Sequence, residues 1–116
     1  METKYLDLLE EYRGEMIRTL QELIAIKSVA AAPVENAPFG TGVQEAFEYM
    51  LDKAKAEGFD IENIDNYGGH IDFGGWLFDE NGEMVGTSDE IMGILCHLDV
   101  VPEGKDWDHE PFGGEL

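Results

Sequence analysis

Apolar residues recur every three or four positions from Thr3 to about Lys27, which is the period of one face of an α-helix. A second helical pattern begins at Thr41, where Thr41 and Gln44 have capping-box spacing, and Gly58 is its candidate C-cap. Between the two helices, the prolines and small residues of positions 28–40 predict a loop. This loop either borders a substrate cleft or is a plain surface connection.

The second half of the chain changes to the short patterns of β-strands. Residues 59–64 alternate at their start, residues 66–69 predict a turn, and residues 70–78 contain a second strand. The Asn81-Gly82 pair is the signal of a β-hairpin that returns through Met84 and Val85. The continuously apolar run 91–96 predicts an interior strand covered on both faces. The order of elements predicts an α/β domain, with two N-terminal helices packed on a mixed sheet that includes a β-hairpin.

Charge and composition restrict the partners of the chain. Its 116 residues, enough for one small domain, include 26 acidic and 7 basic residues, for a net charge of -19. This balance argues against binding to nucleic acid or to anionic membrane surfaces. No apolar run reaches the ~20 residues that span a bilayer, and the N-terminus lacks a signal-peptide pattern. With Cys96 as the single cysteine, these features predict a cytoplasmic protein.

His97 and Asp99, at the end of the predicted interior strand, are the sharpest chemical signal in the sequence. Alternate side chains of an extended strand share a face, so the imidazole and the carboxylate point the same way while Leu98 points into the core. A neutral imidazole binds zinc best when a second group fixes its tautomer and orientation. The pair therefore suits a metal ligand and its helper, and a hydrogen-bonded pair without metal is the alternative.

The segment from His97 to Phe112 reads His-Leu-Asp-Val-Val-Pro-Glu-Gly-Lys-Asp-Trp-Asp-His-Glu-Pro-Phe. It resembles the first metal-binding motif of the co-catalytic zinc metallopeptidases, a family that includes bacterial dipeptidases of the carnosinase type, aminoacylases and succinyl-diaminopimelate desuccinylases. The long first helix, the Pro-Phe-Gly of residues 38–40 and the segment 65–70 also resemble the dipeptidase branch. The resemblance covers nearly the whole chain.

The resemblance implies that His97 is a zinc ligand and that Asp99 is the catalytic-site carboxylate that positions the metal-bound histidine. It also implies a dipeptide substrate and, in the complete enzyme, two zinc ions that activate a water for a glutamate base. In the family, this motif is followed by a glycine-rich segment with an aspartate that bridges the two metals, and then by the remaining ligands; the sequence up to Leu116 includes none of them. We therefore expect residues 1–116 to be the N-terminal part of a metallopeptidase catalytic domain, inactive alone and binding zinc weakly or not at all.

The remaining cysteine and histidines carry weaker expectations. Cys96 stands where the family usually has glycine, and we expect a buried small hydrophobe on the face opposite His97, with a metal-perturbing thiol as the alternative. His70 is expected to be structural or exposed, and His109 to be solvated. A weak metal-binding cluster of His97, Asp99, Asp108 and His109 stays open as an alternative.

A second function is compatible with the same residues. The chain could be a naturally short, non-catalytic module or a relic of the family. Because the predicted interior strand would lack a neighbour, such a module would self-associate, forming a homodimer through exposed apolar surface.

Overall fold

The computed structural model describes residues 2–116, which form two α-helices and four short β-strands and confirm the predicted α/β composition. The helices are α1, Glu2–Ala25, and α2, Thr41–Ala56. The strands are β1, Asp60–Ile64; β2, Gly68–Asp72; β3, Trp76–Phe78; and β4, Met84–Thr87. In place of one mixed sheet, the described strands form two separate antiparallel pairs, β1 with β2 and β3 with β4.

Glycines mark both ends of α2. Gly40, with φ 93°, is the N-cap residue, so Thr41 is already helical and makes no side-chain cap. The predicted capping box is therefore wrong. The C-terminal prediction is confirmed, because Gly58 adopts φ 90° and its N–H donates to the carbonyl of Lys55 at 3.1 Å. Phe59 N–H donates to the carbonyl of Ala54 at 3.0 Å, which completes a Schellman motif.

The small core of the described chain lies on α2. Its buried apolar residues are Ala46, Leu51 and Ala54 of α2 and Ala37 of the preceding loop. The hairpin of β1 and β2 packs against this helix at Gly69, where the Phe47 ring lies over the strand backbone. A Cβ atom added at Gly69 would lie 2.3 Å from the carbonyl oxygen of Glu62 and 3.1 Å from Cζ of Phe47. Glycine is thus the residue that allows this close approach.

The turn between β1 and β2 spans residues 64–67, two residues earlier than the predicted 66–69. Asp65 and Asn66 have φ of 52° and 62°, the left-handed conformation that a type I′ turn requires, and Tyr67 N–H donates to the carbonyl of Ile64 at 3.0 Å. Asparagine and aspartate tolerate this conformation better than most residues. The Asn66 side chain also donates to the carbonyl of Asn36 at 2.8 Å, which ties the turn to the loop before α2.

The predicted strand within 70–78 is two strands. Gly74 and Gly75 have φ of 97° and 82° and break the chain between β2 and β3. The hairpin of β3 and β4 is confirmed, and Asp79 organises its turn by accepting the backbone N–H groups of Asn81 at 2.8 Å and Glu83 at 2.9 Å. These bonds, that from Glu83 first, hold the pKa of Asp79 below its ordinary value of 3.8.

The prediction of a buried strand at 91–96 is wrong. The segment forms no strand and is exposed, with Ile91 at 93% and Leu95 at 100%. An interior strand needs adjacent strands for its backbone hydrogen bonds and packed elements over both of its faces. None of the described strands lies beside this segment. Cys96 is likewise exposed rather than buried.

Helix α1 contacts α2 through the ends of polar side chains. Tyr49 Oη donates to Glu22 Oε2 at 2.7 Å, and Lys53 Nζ lies 3.5 Å from Glu15 Oε1. The predicted apolar stripe of α1 is present, but much of it is exposed and lines an open groove beside α2; its exposed members include Tyr5, Leu9, Tyr12, Met16 and Leu20. The radius of gyration is 17.9 Å, against about 13 Å for a compact 100-residue domain. Within residues 2–116, no helix is both long and apolar enough to cross a bilayer.

Replacing Gly69 by alanine should destabilise the protein by about 1–3 kcal/mol, because the new methyl group collides with Glu62 and Phe47. Gly68→Ala is the matched control in the same strand, since a Cβ atom there meets nothing within 4 Å. Urea unfolding of both variants measures the difference. Equal stability of the two variants would contradict the packing described here.

Candidate functional site

The structure brings together the two residues that the sequence singles out. His97 Nδ1 lies 2.9 Å from the Asp99 carbonyl oxygen and 3.2 Å from Asp99 Oδ1. Both oxygens are acceptors when the carboxylate is ionised, so Nδ1 is the donor, and in a neutral imidazole with this tautomer Nε2 presents a lone pair. The His97 side chain is 82% exposed, which makes Nε2 accessible to a ligand. The pair has the arrangement of an oriented imidazole, although the strand expected before it is absent.

Ser28, three residues after the end of α1, holds the backbone beside this pair. Its Oγ donates to the carbonyl of Leu98 at 2.9 Å, and its own carbonyl accepts the N–H of Val100 at 3.0 Å. Val29 and Val100 form an isolated parallel β-bridge at the same place. The segment 98–100 is thus paired with the loop that follows α1, so this part of the loop borders the site.

Lys27, next to Ser28, contacts residues that follow Asp99 in the chain. Its Nζ lies 2.5 Å from Glu103 Oε1 and 5.4 Å from the centre of the Phe112 ring, a cation–π contact. The Trp107 indole N–H donates to the carbonyl of Glu103. The hydrogen bond from Lys27 is the main cause that lowers the pKa of Glu103. The Lys27–Glu103 contact therefore holds the turn at Pro102-Glu103-Gly104 near the end of α1, and the Trp107 bond closes that turn internally.

A cleft of about 1100 Å³ lies between the last turns of α1 and residues 97–116. Its α1 wall is apolar and includes Leu20, Leu23 and Ile24, while His97 and Asp99 are on its other side. The Gln21 side chain donates to the carbonyl of Gly114 at 2.7 Å and holds the two walls together. The His97–Asp99 pair therefore opens onto a concave surface.

His70 is exposed, which is one of the two predictions made for it, and it has two carboxylate partners. Its Nδ1 lies 2.9 Å from Asp72 Oδ2 and its Nε2 lies 3.0 Å from Glu62 Oε2. Glu62 and His70 are directly opposite each other in the β1–β2 pair. With both ring nitrogens engaged by different carboxylates, His70 is a cross-strand link of the hairpin.

His109 contacts Glu115, with 2.5 Å between Nδ1 and Oε2. Residues 2–116 contain no group of three or more histidine, cysteine, aspartate or glutamate side chains placed to hold one metal ion. The alternative cluster of His97, Asp99, Asp108 and His109 is therefore not assembled in the described chain.

Sequence reasoning missed Ser28, Lys27 and Gln21 as site residues. Their partners lie 70, 76 and 93 residues away along the chain. Such contacts leave no local periodicity or spacing to recognise. The one available signal was the long loop after α1, for which the border of a substrate cleft was one of two interpretations.

Comparison with known proteins places the chain beside bacterial proteins named as dipeptidases. It is 37% identical over 108 residues to "Putative dipeptidase YtjP" of Bacillus subtilis and 34% identical over 106 residues to "Putative dipeptidase SH1171" of Staphylococcus haemolyticus. Each match covers 90% of this chain and 20% of the relative. The chain thus spans about a fifth of the length of these curated relatives. No family model matches it.

Acidification should release the turn that Lys27 and Glu103 hold. Because the folded pKa of Glu103 is lowered, its contribution to stability is complete above the ordinary value of 4.5 and is lost as the pH falls through the folded pKa. The indole N–H signal of Trp107, followed by NMR between pH 7 and pH 2, should lose its protection in that acid range.

Lys27→Met keeps the apolar stem and removes the ammonium group, so it should abolish this acid step by releasing the turn at all pH values. Lys105→Met, in the same turn, is the matched control and should keep the step. An unchanged Trp107 signal down to pH 2 in the unmodified protein would contradict the role of the Lys27–Glu103 pair.

Proposed function

We propose that this chain is the N-terminal part of a metal-dependent dipeptidase and that it contributes His97 as one zinc ligand, with Asp99 as the carboxylate that orients it. The observation that carries the proposal is the His97–Asp99 contact. It engages Nδ1 and leaves Nε2 without a contact to Asp99, in a side chain that lines the cleft. Similarity to proteins named as dipeptidases over 90% of this chain supports the substrate class.

The donor set in residues 2–116 does not make a complete zinc site. Catalytic zinc usually has three protein ligands and an open position for water. The imidazoles of His97 and His109 both line this cleft, but residues 2–116 contain no group of three metal-binding side chains. The chain alone is therefore proposed to bind zinc weakly and to lack hydrolytic activity. The steps of hydrolysis belong to residues that a longer protein would supply.

The proposal is tested on the complete reading frame that encodes this chain. If that frame continues beyond Leu116, the purified product should release amino acids from dipeptides, and His97→Ala should abolish the release. Asp99→Asn should lower activity or metal affinity by about 10–100-fold, the usual effect of removing the partner of a metal-bound histidine. His109→Asn, the matched control, should retain activity. Full activity of His97→Ala would contradict the ligand assignment.

For the 116-residue chain itself, zinc binding measured by calorimetry should be weak and should disappear in His97→Ala. Equal losses in His97→Ala and His109→Asn would instead indicate a cluster of both histidines. Nanomolar affinity that survives His97→Ala would refute the assignment.

A second candidate function is a self-associating, non-catalytic module. The observation that favours it is the apolar surface of the described chain, above all the unpaired segment 91–95 and the outer stripe of α1. Edge pairing of exposed apolar segments is a general route to association.

Light scattering tests this candidate. Dimers should form as the concentration rises, and Leu95→Lys should return the chain to a monomer if the segment 91–95 is the contact. Leu9→Lys is the matched substitution on α1 and should leave such dimers intact. A monomer at millimolar concentration would exclude self-association as the function.

A further inference from the structure

Ser28 is the buried polar residue of the described chain, with 3% of its surface exposed. A buried hydroxyl costs free energy unless it has a hydrogen-bond partner. Ser28 Oγ satisfies this requirement with the carbonyl of Leu98, 70 residues further along the chain. The hydroxyl is therefore committed to the backbone between His97 and Asp99.

The backbone of Ser28 adds a second bond on the other side of Asp99. The Ser28 carbonyl accepts the N–H of Val100 at 3.0 Å, while its Oγ binds the carbonyl of Leu98. Both peptide units that flank Asp99 are thus fixed by one residue. This fixes the position of the Asp99 carbonyl and carboxylate, which are the two acceptors of His97 Nδ1.

Ser28 is itself fixed from the opposite side by α2. A Cβ atom added at Gly42, in the first turn of α2, would lie 2.1 Å from the carbonyl oxygen of Lys27 and 3.6 Å from the Cα of Ser28. The helix backbone therefore touches the loop at residues 27 and 28. Ser28 lies between the core helix and the segment 98–100, and it links the two.

We propose that Ser28 is a positioning residue that sets the orientation of the His97 imidazole through its two bonds to the segment 98–100. The proposal deepens the proposed function and rests on it in one respect, the role of His97 as a metal ligand. The positioning itself concerns only residues of this chain. Because the segment 91–96 has no strand partner in the described chain, the bonds to Ser28 are the backbone restraint next to His97.

The test compares Ser28→Ala and Ser28→Cys with Ser88→Ala in the 116-residue chain. Alanine removes the hydroxyl, and cysteine keeps a side chain of similar size but donates only weakly, so a packing defect is separated from a lost hydrogen bond. Ser88 is a partly buried serine whose Oγ accepts the N–H of Glu90, and it is the matched control.

Three NMR and titration readouts are recorded for each variant. The first is the exchange rate of the Val100 amide, and the second is the pair of ¹⁵N shifts of the His97 ring. The third is the response of that ring to Zn²⁺ alone. Urea unfolding is measured in parallel, because a purely structural serine would lower stability without changing the ring signals of the folded protein.

Both Ser28 variants lose the bond from Oγ to the Leu98 carbonyl and keep the backbone carbonyl that binds Val100. Loss of one buried hydrogen bond weakens the pairing of these segments, so the Val100 amide should exchange about tenfold faster. Their His97 ring shifts should move toward the mixture of tautomers of an unrestrained histidine, and Ser88→Ala should match the unmodified protein. Unchanged ring shifts in both Ser28 variants would overturn the proposal, whether or not Val100 exchange changes.

The zinc readout separates this proposal from the proposed function. If Ser28→Ala and Ser28→Cys alter Val100 and the His97 ring while the unmodified protein shows no response of that ring to Zn²⁺, positioning by Ser28 stands and the ligand role of His97 fails. If Zn²⁺ acts on His97 in the unmodified protein while the ring shifts of both Ser28 variants are unchanged, the ligand role stands and positioning by Ser28 fails.

Discussion

The pairing of Ser28 with residues 98–100 is the contact on which the candidate site depends. It joins the loop after α1 to the far end of the chain, and it does so with a buried hydroxyl and a backbone carbonyl of the same residue. The close approach of Gly42 to Lys27 places this contact against α2, the helix that carries the core. The position of His97 thus depends on the best-packed part of the molecule, although His97 itself is exposed.

The parts of the fold that the sequence predicted are those determined by neighbouring residues. The helical period of α1, the Gly58 stop of α2 and the Asn81-Gly82 hairpin each depend on a few consecutive positions, and each is present. The segment 91–96 is different, because a strand covered on both faces is defined by what lies beside it. The described chain supplies no such neighbours, so the apolar run stays exposed. Contacts such as that of Lys27 with Glu103 could not be predicted from local sequence patterns either, because the two residues are 76 positions apart.

The excess of acid over base explains why contact with a carboxylate does not by itself identify a site. With 26 acidic residues, each of the three histidines finds a carboxylate partner. His70 uses both ring nitrogens in its contacts, and His109 contacts the exposed end of Glu115. His97 alone is next to backbone that a buried residue holds. What distinguishes the candidate site is therefore restraint of the main chain rather than charge.

The restraints on the motif are unevenly distributed around His97. After it, Ser28, Lys27 and Gln21 tie residues 98–114 to the end of α1. Before it, the segment 91–96 is apolar and unpaired. Pairing of residues 91–96 with another strand would therefore add a backbone restraint on the side of His97 that has none from the described strands. The same step would cover exposed apolar side chains such as Ile91 and Leu95, so burying this surface and restraining the backbone before His97 would be a single event.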